Sequence, residues 1–197
     1  MAFEIEVKYI HPDDSPREHA MYHARGCSQI DNGLYGKVFD DRSANQIIKV
    51  FSGHDAGYNA YLEMMSQLDI DNPHLPKIHH VVMYKNGEDA YQNCSVVYME
   101  KLTKGKVRTE FDENGCRKGP MTWHERIVSR VKLIAWAMNG GEQFPHLNSK
   151  HQDLFALLCL ARERGQQVAP EHGVEWDLHT GNIMWRGSTW VVTDPLS

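Results

Sequence analysis

The C-terminal stretch from Glu175 to Ser197, EWDLHTGNIMWRGSTWVVTDPLS, constrains the chain more than any other segment. Asp177 is followed five positions later by Asn182, then by an apolar run and a second acid, Asp194. Ile183-Met184-Trp185 and Trp190-Val191-Val192 flank a turn at Arg186-Gly187-Ser188, the pattern of a short β-hairpin. A hairpin this tight returns Asp194 to the side of Asn182. Two carboxylates and an amide oxygen then converge from a loop and a strand end. Such a trio suits phosphoryl transfer: Asp177 would accept a hydroxyl proton, while Asn182 and Asp194 would hold Mg²⁺ on nucleotide phosphates. A plain surface loop is the competing reading, because Asp and Asn also favour turns.

The rest of the chain sets the context. With 197 residues it is long enough for one domain, or for two small lobes sharing a cleft. A net charge of −5 gives no basic footprint for nucleic acid. No apolar run reaches the length of a membrane span, LFALLCLA near residue 154 being too short. The N-terminus MAFEIEVKYI alternates charged and apolar residues, unlike a secretory signal. Cys27, Cys94, Cys116 and Cys159 are scattered without a CxxC pair, which points to free thiols in a reducing cytoplasm.

In chain order, residues 3–10 alternate like a half-buried strand, and Ser15-Pro16 can start a short helix through Arg25. His19 and His23 stand there at i and i+4, a spacing that could bind a metal, but with no third ligand nearby two solvated histidines are the favoured reading. Gly33 and Gly36 flank Leu34-Tyr35 before Lys37-Val38-Phe39, a hairpin whose bare N–H groups can approach phosphate oxygens. Lys49 then stands alone in the apolar strand Ile47-Ile48-Lys49-Val50-Phe51. A buried ammonium needs an anion or a water-facing cleft; the alternative is a lysine guarding a sheet edge.

Residues 55–68 read as a helix with Tyr58, Tyr61, Leu62 and Met65 on one stripe, and Glu63 beside it could pair with Lys49. Residues 78–84 and 95–99 read as strands, with Asn86-Gly87 as the hairpin signal between them. The backbone from Val96 to Leu102, Glu100 included, could hydrogen-bond an adenine edge. Lys104 to Gly119 reads as an exposed hairpin or loop. Thr122 followed by Glu125 is a capping box opening a helix to about Met138, and a second helix runs from Ser149 to Arg164, ending at Gly165.

This order, from Gly-bearing hairpin through strand lysine, helix, linker and helices to D-x-x-x-x-N and a strand ending in Asp, resembles that of protein kinases. Asp31-x-Gly33-x-x-Gly36-x-Val38 is similar to their Gly-rich loop with its first glycine replaced. Trp176-Asp177-Leu178-His179-Thr180-Gly181-Asn182-Ile183-Met184, followed by Thr193-Asp194-Pro195, resembles more closely the early serine/threonine kinases of short-tailed coliphages. Asn32-Gly33-x-Tyr35 and Ile48-Lys49-Val50 fit as well.

The resemblance implies an α+β protein-kinase-like fold, with a β-rich N-lobe at residues 1–100 and a reduced helical C-lobe at 101–197. It implies an ATP- and Mg²⁺-dependent enzyme that phosphorylates Ser and Thr of host bacterial proteins in the cytoplasm of the infected cell. Those targets, rather than nucleic acid or membrane, would be its partners. Asp177 and Lys49 would be catalytic; Gly33, Gly36, Val38, Lys49, Glu63 and Glu100 would bind the nucleotide; Asn182 and Asp194 would hold the metal.

Three departures stand out. Glu175-Trp176 replace the His-Arg of many kinases, Pro195-Leu196 replace Phe-Gly, and the sequence stops three residues after Asp194, before any peptide platform. They keep two alternatives open. One is a kinase-shaped protein that binds and inhibits a host enzyme. The other is a small-molecule phosphotransferase of the antibiotic-modifying type, since D-L-H-x-x-N-I occurs there too.

Overall fold

The computed structural model describes residues 3–68, 71–87, 92–107, 120–142, 144, 146–171 and 173–197. The chain begins with strand β1 (Ile5–Tyr9) and helix α1 (Pro16–Tyr22), which Ser15 caps through the N–H of Glu18. Strands β2 (Ser28–Asn32), β3 (Gly36–Asp41) and β4 (Gln46–Ser52) follow, then helix α2 (Ala56–Leu68) and strands β5 (Ile78–Lys85) and β6 (Cys94–Glu100). These strands form one six-stranded sheet in the order β1-β5-β6-β4-β3-β2.

β4 lies inside this sheet, between β3 and β6, with Lys49 opposite Val38 on one side and Val97 on the other. Lys49 is therefore not an edge residue, and the edge-strand reading is excluded. β1 joins β5 in parallel, placing Ile5 opposite Val81. That pairing brings together segments far apart in sequence, and local alternation carries no sign of it.

Beyond the sheet come β7 (Thr103–Lys104), helices α3 (Trp123–Asn139) and α4 (Ser149–Val168), and the hairpin of β8 (Ile183–Arg186) and β9 (Thr189–Val192). β7 adds to β8, making a second sheet in the order β7-β8-β9. The expected loop from Lys104 onward begins in β7, and its residues 108–119 lie outside the described residues, as does the 88–91 connection after Asn86-Gly87. α3 opens with the full capping box: the Thr122 hydroxyl accepts from the Glu125 N–H, and the Glu125 carboxylate accepts from the Thr122 N–H. α4 ends three residues later than Gly165 suggests. Gly165 lies within the helix, where a Cβ would stand 3.0 Å from Val174 and 3.5 Å from the carbonyl of Ala56. Its role is close approach rather than termination.

One apolar cluster runs from Phe51, Val81 and Val97 of the larger sheet through Tyr58, Tyr61 and Leu62 of α2 to Leu154 and Leu158 of α4 and Ile183 and Val192 of the hairpin. A smaller cluster on the opposite face sets Ala20 of α1 against Ile48, Val50 and Val96. There His23 stands between the hydroxyls of Tyr98 and Tyr84, so it is engaged by phenols rather than by a metal or solvent alone. Among the described residues Cys27, Cys94 and Cys159 are free thiols, and no helix is long and apolar enough to cross a membrane.

The C-terminal residues are woven into this core. Glu175 and Ser197 exchange backbone hydrogen bonds of 2.9 and 3.2 Å, the Asp177 N–H donates to the Pro195 carbonyl at 2.8 Å, and Tyr61 donates to the Val192 carbonyl at 3.0 Å. The start of α2 lies directly on this segment: a Cβ on Gly57 would be 2.8 Å from the Leu196 Cβ and 3.0 Å from its carbonyl carbon. Gly57→Ala should therefore destabilise the protein by about 1–3 kcal/mol of overpacking strain, more than the ~1 kcal/mol gained in helix propensity. Thermal or urea unfolding checks this; an unchanged or raised midpoint contradicts it.

Candidate active site

Three short segments meet at one cavity of about 630 Å³, within the range of small-molecule sites. The first is the turn between β2 and β3, closed by a 2.8 Å bond from the Gly33 N–H to the Gly36 carbonyl. Gly33, Gly36 and Val38 line the cavity from this side. Gly36 has no room for a side chain, since a Cβ would sit 2.9 Å from Phe51 and from the Val50 carbonyl. Gly33 has no such neighbour, and its backbone is left open to the cavity.

The second segment is β4, which contributes Lys49. Its side chain is 10% exposed, and its ammonium donates to Asp194 Oδ2 at 2.5 Å. The ammonium also lies 3.4 Å from the centre of the Tyr58 ring, a cation–π contact from α2. A lysine this enclosed demands compensation, and the ion pair across 145 residues of sequence supplies it. The expected trio is the third segment. Thr193 donates its N–H and its hydroxyl to the Asn182 carbonyl at 2.8 and 3.0 Å, which brings Asp194 to the Asp177–Asn182 loop as the hairpin pattern requires.

Asp177 is held at one oxygen and faced by a histidine at the other. The Asn182 amide donates to Asp177 Oδ2 at 2.9 Å and to its backbone carbonyl at 2.8 Å. His179 Nδ1 accepts the Gly181 N–H at 2.9 Å, which leaves the His179 proton on Nε2, facing Asp177 Oδ1 at 3.6 Å. With its NH₂ committed to Asp177, Asn182 keeps its amide oxygen for another ligand. Asp194 Oδ1 is buried with no hydrogen-bond partner among the described residues. A buried acceptor of this kind calls for a donor or a cation.

These features fit a magnesium ion, which is commonly bound by one or two protein groups with substrate phosphates completing its shell. Among the described residues no group of three or more His, Cys, Asp or Glu is arranged to hold a metal.

Two expected residues do not belong to the cavity. Glu63 faces α4, where Arg164 pairs with it at 3.3 Å. Tyr58, Tyr61, Leu62 and Met65 fill the buried face of α2, and Glu63, one step of about 100° past Leu62, is carried away from Lys49. Glu100 is likewise absent from the lining. Its carboxylate is clamped by Arg186, with Nε to Oε2 at 2.7 Å, and accepts the Lys77 N–H at 2.7 Å. Its own N–H is taken by the Lys77 carbonyl at 3.0 Å. Burial would raise the Glu100 pKa, but the hydrogen bonds from Arg186 and Lys77 and the Arg186 charge outweigh it and hold the carboxyl below its usual value. Arg186 also donates to the carbonyls of Pro73 and Leu75, so this cluster braces the hairpin against the larger sheet instead of meeting a nucleotide.

Three contributors were not legible in advance. His124, buried at the start of α3, accepts the Trp185 indole N–H at Nδ1 and so donates from Nε2 to the Thr180 carbonyl, fixing the Asp177–Asn182 loop. Tyr58 was recognised as core but not as the platform under Lys49. Asp55, just before α2, lines the cavity and is 7% exposed. Only its position, three residues ahead of the first residue of the apolar stripe, hinted at a helix cap: Asp55 Oδ1 accepts the Tyr58 N–H at 3.0 Å.

No family model and no curated protein matches the chain. Among solved structures, two of the Mycobacterium tuberculosis PknI kinase domain are similar, each 15% identical, with TM-scores of 0.35 and 0.34. They match over 86% of this chain, which spans 58% and 59% of theirs. At so loose a superposition, any functional reading has to come from the site itself.

Burial raises the Asp55 pKa to about 6, with Lys49 opposing and the charges of Asp194 and Asp177 adding to the rise. A folded-state pKa above that of an unfolded Asp means that stability falls as pH rises from about 4 to about 6, and stays lower above that window. Asp55→Asn keeps a capping side chain and removes the charge. It should melt above wild type near neutral pH, with the gap closing as pH falls to about 4. Identical melting curves across that range contradict this.

Proposed function

We propose that the protein is an ATP- and Mg²⁺-dependent phosphotransferase acting on Ser and Thr hydroxyls of proteins. The observation that carries this reading is the 2.5 Å meeting of Lys49 with Asp194 on the wall of a cavity that also holds Asp177 and Asn182. Lysine, amide and carboxylate ligands and a separate, half-exposed carboxylate form a division of labour that phosphoryl transfer needs and a plain surface loop does not. We place the two lobes at residues 1–100 and 101–197, with the cavity between them.

In this assignment the Gly33–Gly36 turn offers backbone N–H groups to the phosphates, and Lys49 supplies positive charge to them. Asn182 and Asp194 hold the metal, whose charge offsets that developing on the phosphoryl oxygens. Asp177 accepts the substrate hydroxyl proton at Oδ1, while the Asn182 amide on Oδ2 fixes its orientation. Val38 closes the apolar side of the site. The sequence resemblance to phage kinases supports a role on host proteins in the cytoplasm of an infected bacterium.

A second reading, a kinase-shaped binding protein, draws on one observation. α3 exposes Trp123, Leu133 and Trp136 at 67, 64 and 67% of their surface, an apolar display suited to a protein partner.

Incubation with ATP and bacterial lysate, read by phosphopeptide mass spectrometry, separates these readings. New phosphoserine and phosphothreonine support the protein kinase; phosphate found only on small molecules supports the antibiotic-type enzyme; no transfer at all supports the binder. Asp177→Asn should retain nucleotide binding and lose about 10²–10⁴ in turnover, the usual contribution of a positioned base. Asp194→Asn should weaken Mg²⁺–ATP binding itself. Transfer at the wild-type rate by both variants would refute the assignment.

A further inference from the structure

Helix α3 carries a surface that neither the cavity nor the core uses. Arg126, Ser129, Arg130, Leu133 and Trp136 recur at helical spacing, so they share one face, and all are exposed. Along the helix axis this strip runs about 15 Å, the span of roughly four or five residues of extended polypeptide.

Its charge is one-sided. The only acid in α3 is Glu125, buried in the capping box, and Arg126, Arg130 and Lys132 make no ion pair among the described residues. Arg126 and Arg130 stand one turn apart, a like-charge pair that strains a helix until an anion neutralises it. In a chain with a net charge of −5, a bare cationic strip selects for an acidic partner.

Beside the strip is a groove of about 340 Å³, walled by Ser129, Lys132, Leu133, Trp136 and Trp176. Trp176 Nε1 is buried and has no acceptor among the described residues. The guanidinium carbon of Arg162, on α4, lies 5.8 Å from the centre of the Trp176 ring. Its Nη1 donates to Asn139 Oδ1 at 3.1 Å, while its Nε is buried without a partner. Apolar walls with cations and unused donors suit an apolar side chain flanked by acceptor oxygens.

We propose that this strip and groove dock an acidic segment of a partner protein. An apolar side chain of that segment enters between Leu133, Trp136 and Trp176, and its carboxylates meet Arg126, Arg130 and Lys132. A second copy of the chain fits poorly, because a two-fold contact would set these like charges against one another. A nucleic-acid strand would meet the repulsion of the net negative charge beyond the strip. Docking here needs neither Lys49 nor a metal, so it stands or falls separately from the phosphotransferase reading. Asp177 follows Trp176 directly in the chain, so a docked protein is also held next to the acidic cavity.

The test is selection of a random-peptide display library on the whole protein, without nucleotide. The enriched peptides should be rich in Asp and Glu around a leucine or aromatic residue. The strongest, synthesised with a fluorophore, is then measured by anisotropy. Trp136→Ala should weaken it about tenfold or more, as loss of a central aromatic anchor does. The combined variant Arg126→Glu, Arg130→Glu and Lys132→Glu should abolish binding, and added salt should weaken it in wild type. These side chains are exposed, and a melting curve verifies each fold; Lys132→Glu alone replaces the combined variant if that one does not fold. Asp177→Asn should bind the peptide as wild type does.

No enrichment, enrichment of neutral or basic peptides, or binding indifferent to these substitutions overturns the proposal. Displacement of the peptide by oligothymidylate assigns the face to nucleic acid, and self-association lost in Trp136→Ala assigns it to a second copy; either result also overturns it.

Discussion

An ammonium inside an apolar strand is the constraint on which the structure turns. Lys49 is flanked in β4 by Ile48 and Val50, both buried, and has strands on either side of it. With its side chain 10% exposed, water solvates it poorly there, and the fold delivers an anion to that point. The anion comes from the far end of the chain. Asp194 reaches Lys49 only because the hairpin of β8 and β9 turns where it does, and because Gly57 lets the segment after it settle onto α2. Packing of the C-terminal residues and construction of the polar cavity are thus one event.

The same arrangement explains why the cavity is lined so unevenly. Its sheet side brings Gly33, Gly36, Val38, the exposed Asp31 and one cation, Lys49; its opposite side is acidic, with Asp55, Asp177 and Asp194. Mutual repulsion among these acids is held in check by short-range bonds: the Asn182 amide on Asp177, the Tyr58 N–H on Asp55 and Lys49 on Asp194. A site with more negative than positive side chains is poised for added cationic charge, which a divalent metal ion would bring. Acids gathered this closely run against local stability rules, a pattern usual where a sequence serves function over stability.

Much of this was legible in the chain itself. The capping box at Thr122 and Glu125, the hairpin after Asn182 and the solitary lysine each state a local physical requirement, and each is met within the elements expected. What sequence could not show was set by contacts between distant segments. The parallel pairing of β1 with β5 and the addition of β7 to β8 follow from neighbours far along the chain. Gly165 looks like a helix stop but is a point of close approach to Val174.

The two misplaced acids fail for the same reason. Glu63 and Glu100 have suitable chemistry, but Arg164 and Arg186, more than eighty residues later, claim them. Asp55, conversely, resembles any helix cap until burial and the neighbouring charges are seen. Its chemistry is a property of the assembled cavity rather than of the sequence around it.

The most direct measurement uses an acyl-phosphate derivative of ATP, which transfers its acyl group to whichever lysine lies against the bound phosphates. The account predicts that Lys49 is the residue acylated, as located by peptide mass spectrometry, and that excess Mg²⁺–ATP prevents the labelling. Label spread over exposed lysines such as Lys101 and Lys104, or labelling of Lys49 indifferent to ATP, would contradict it.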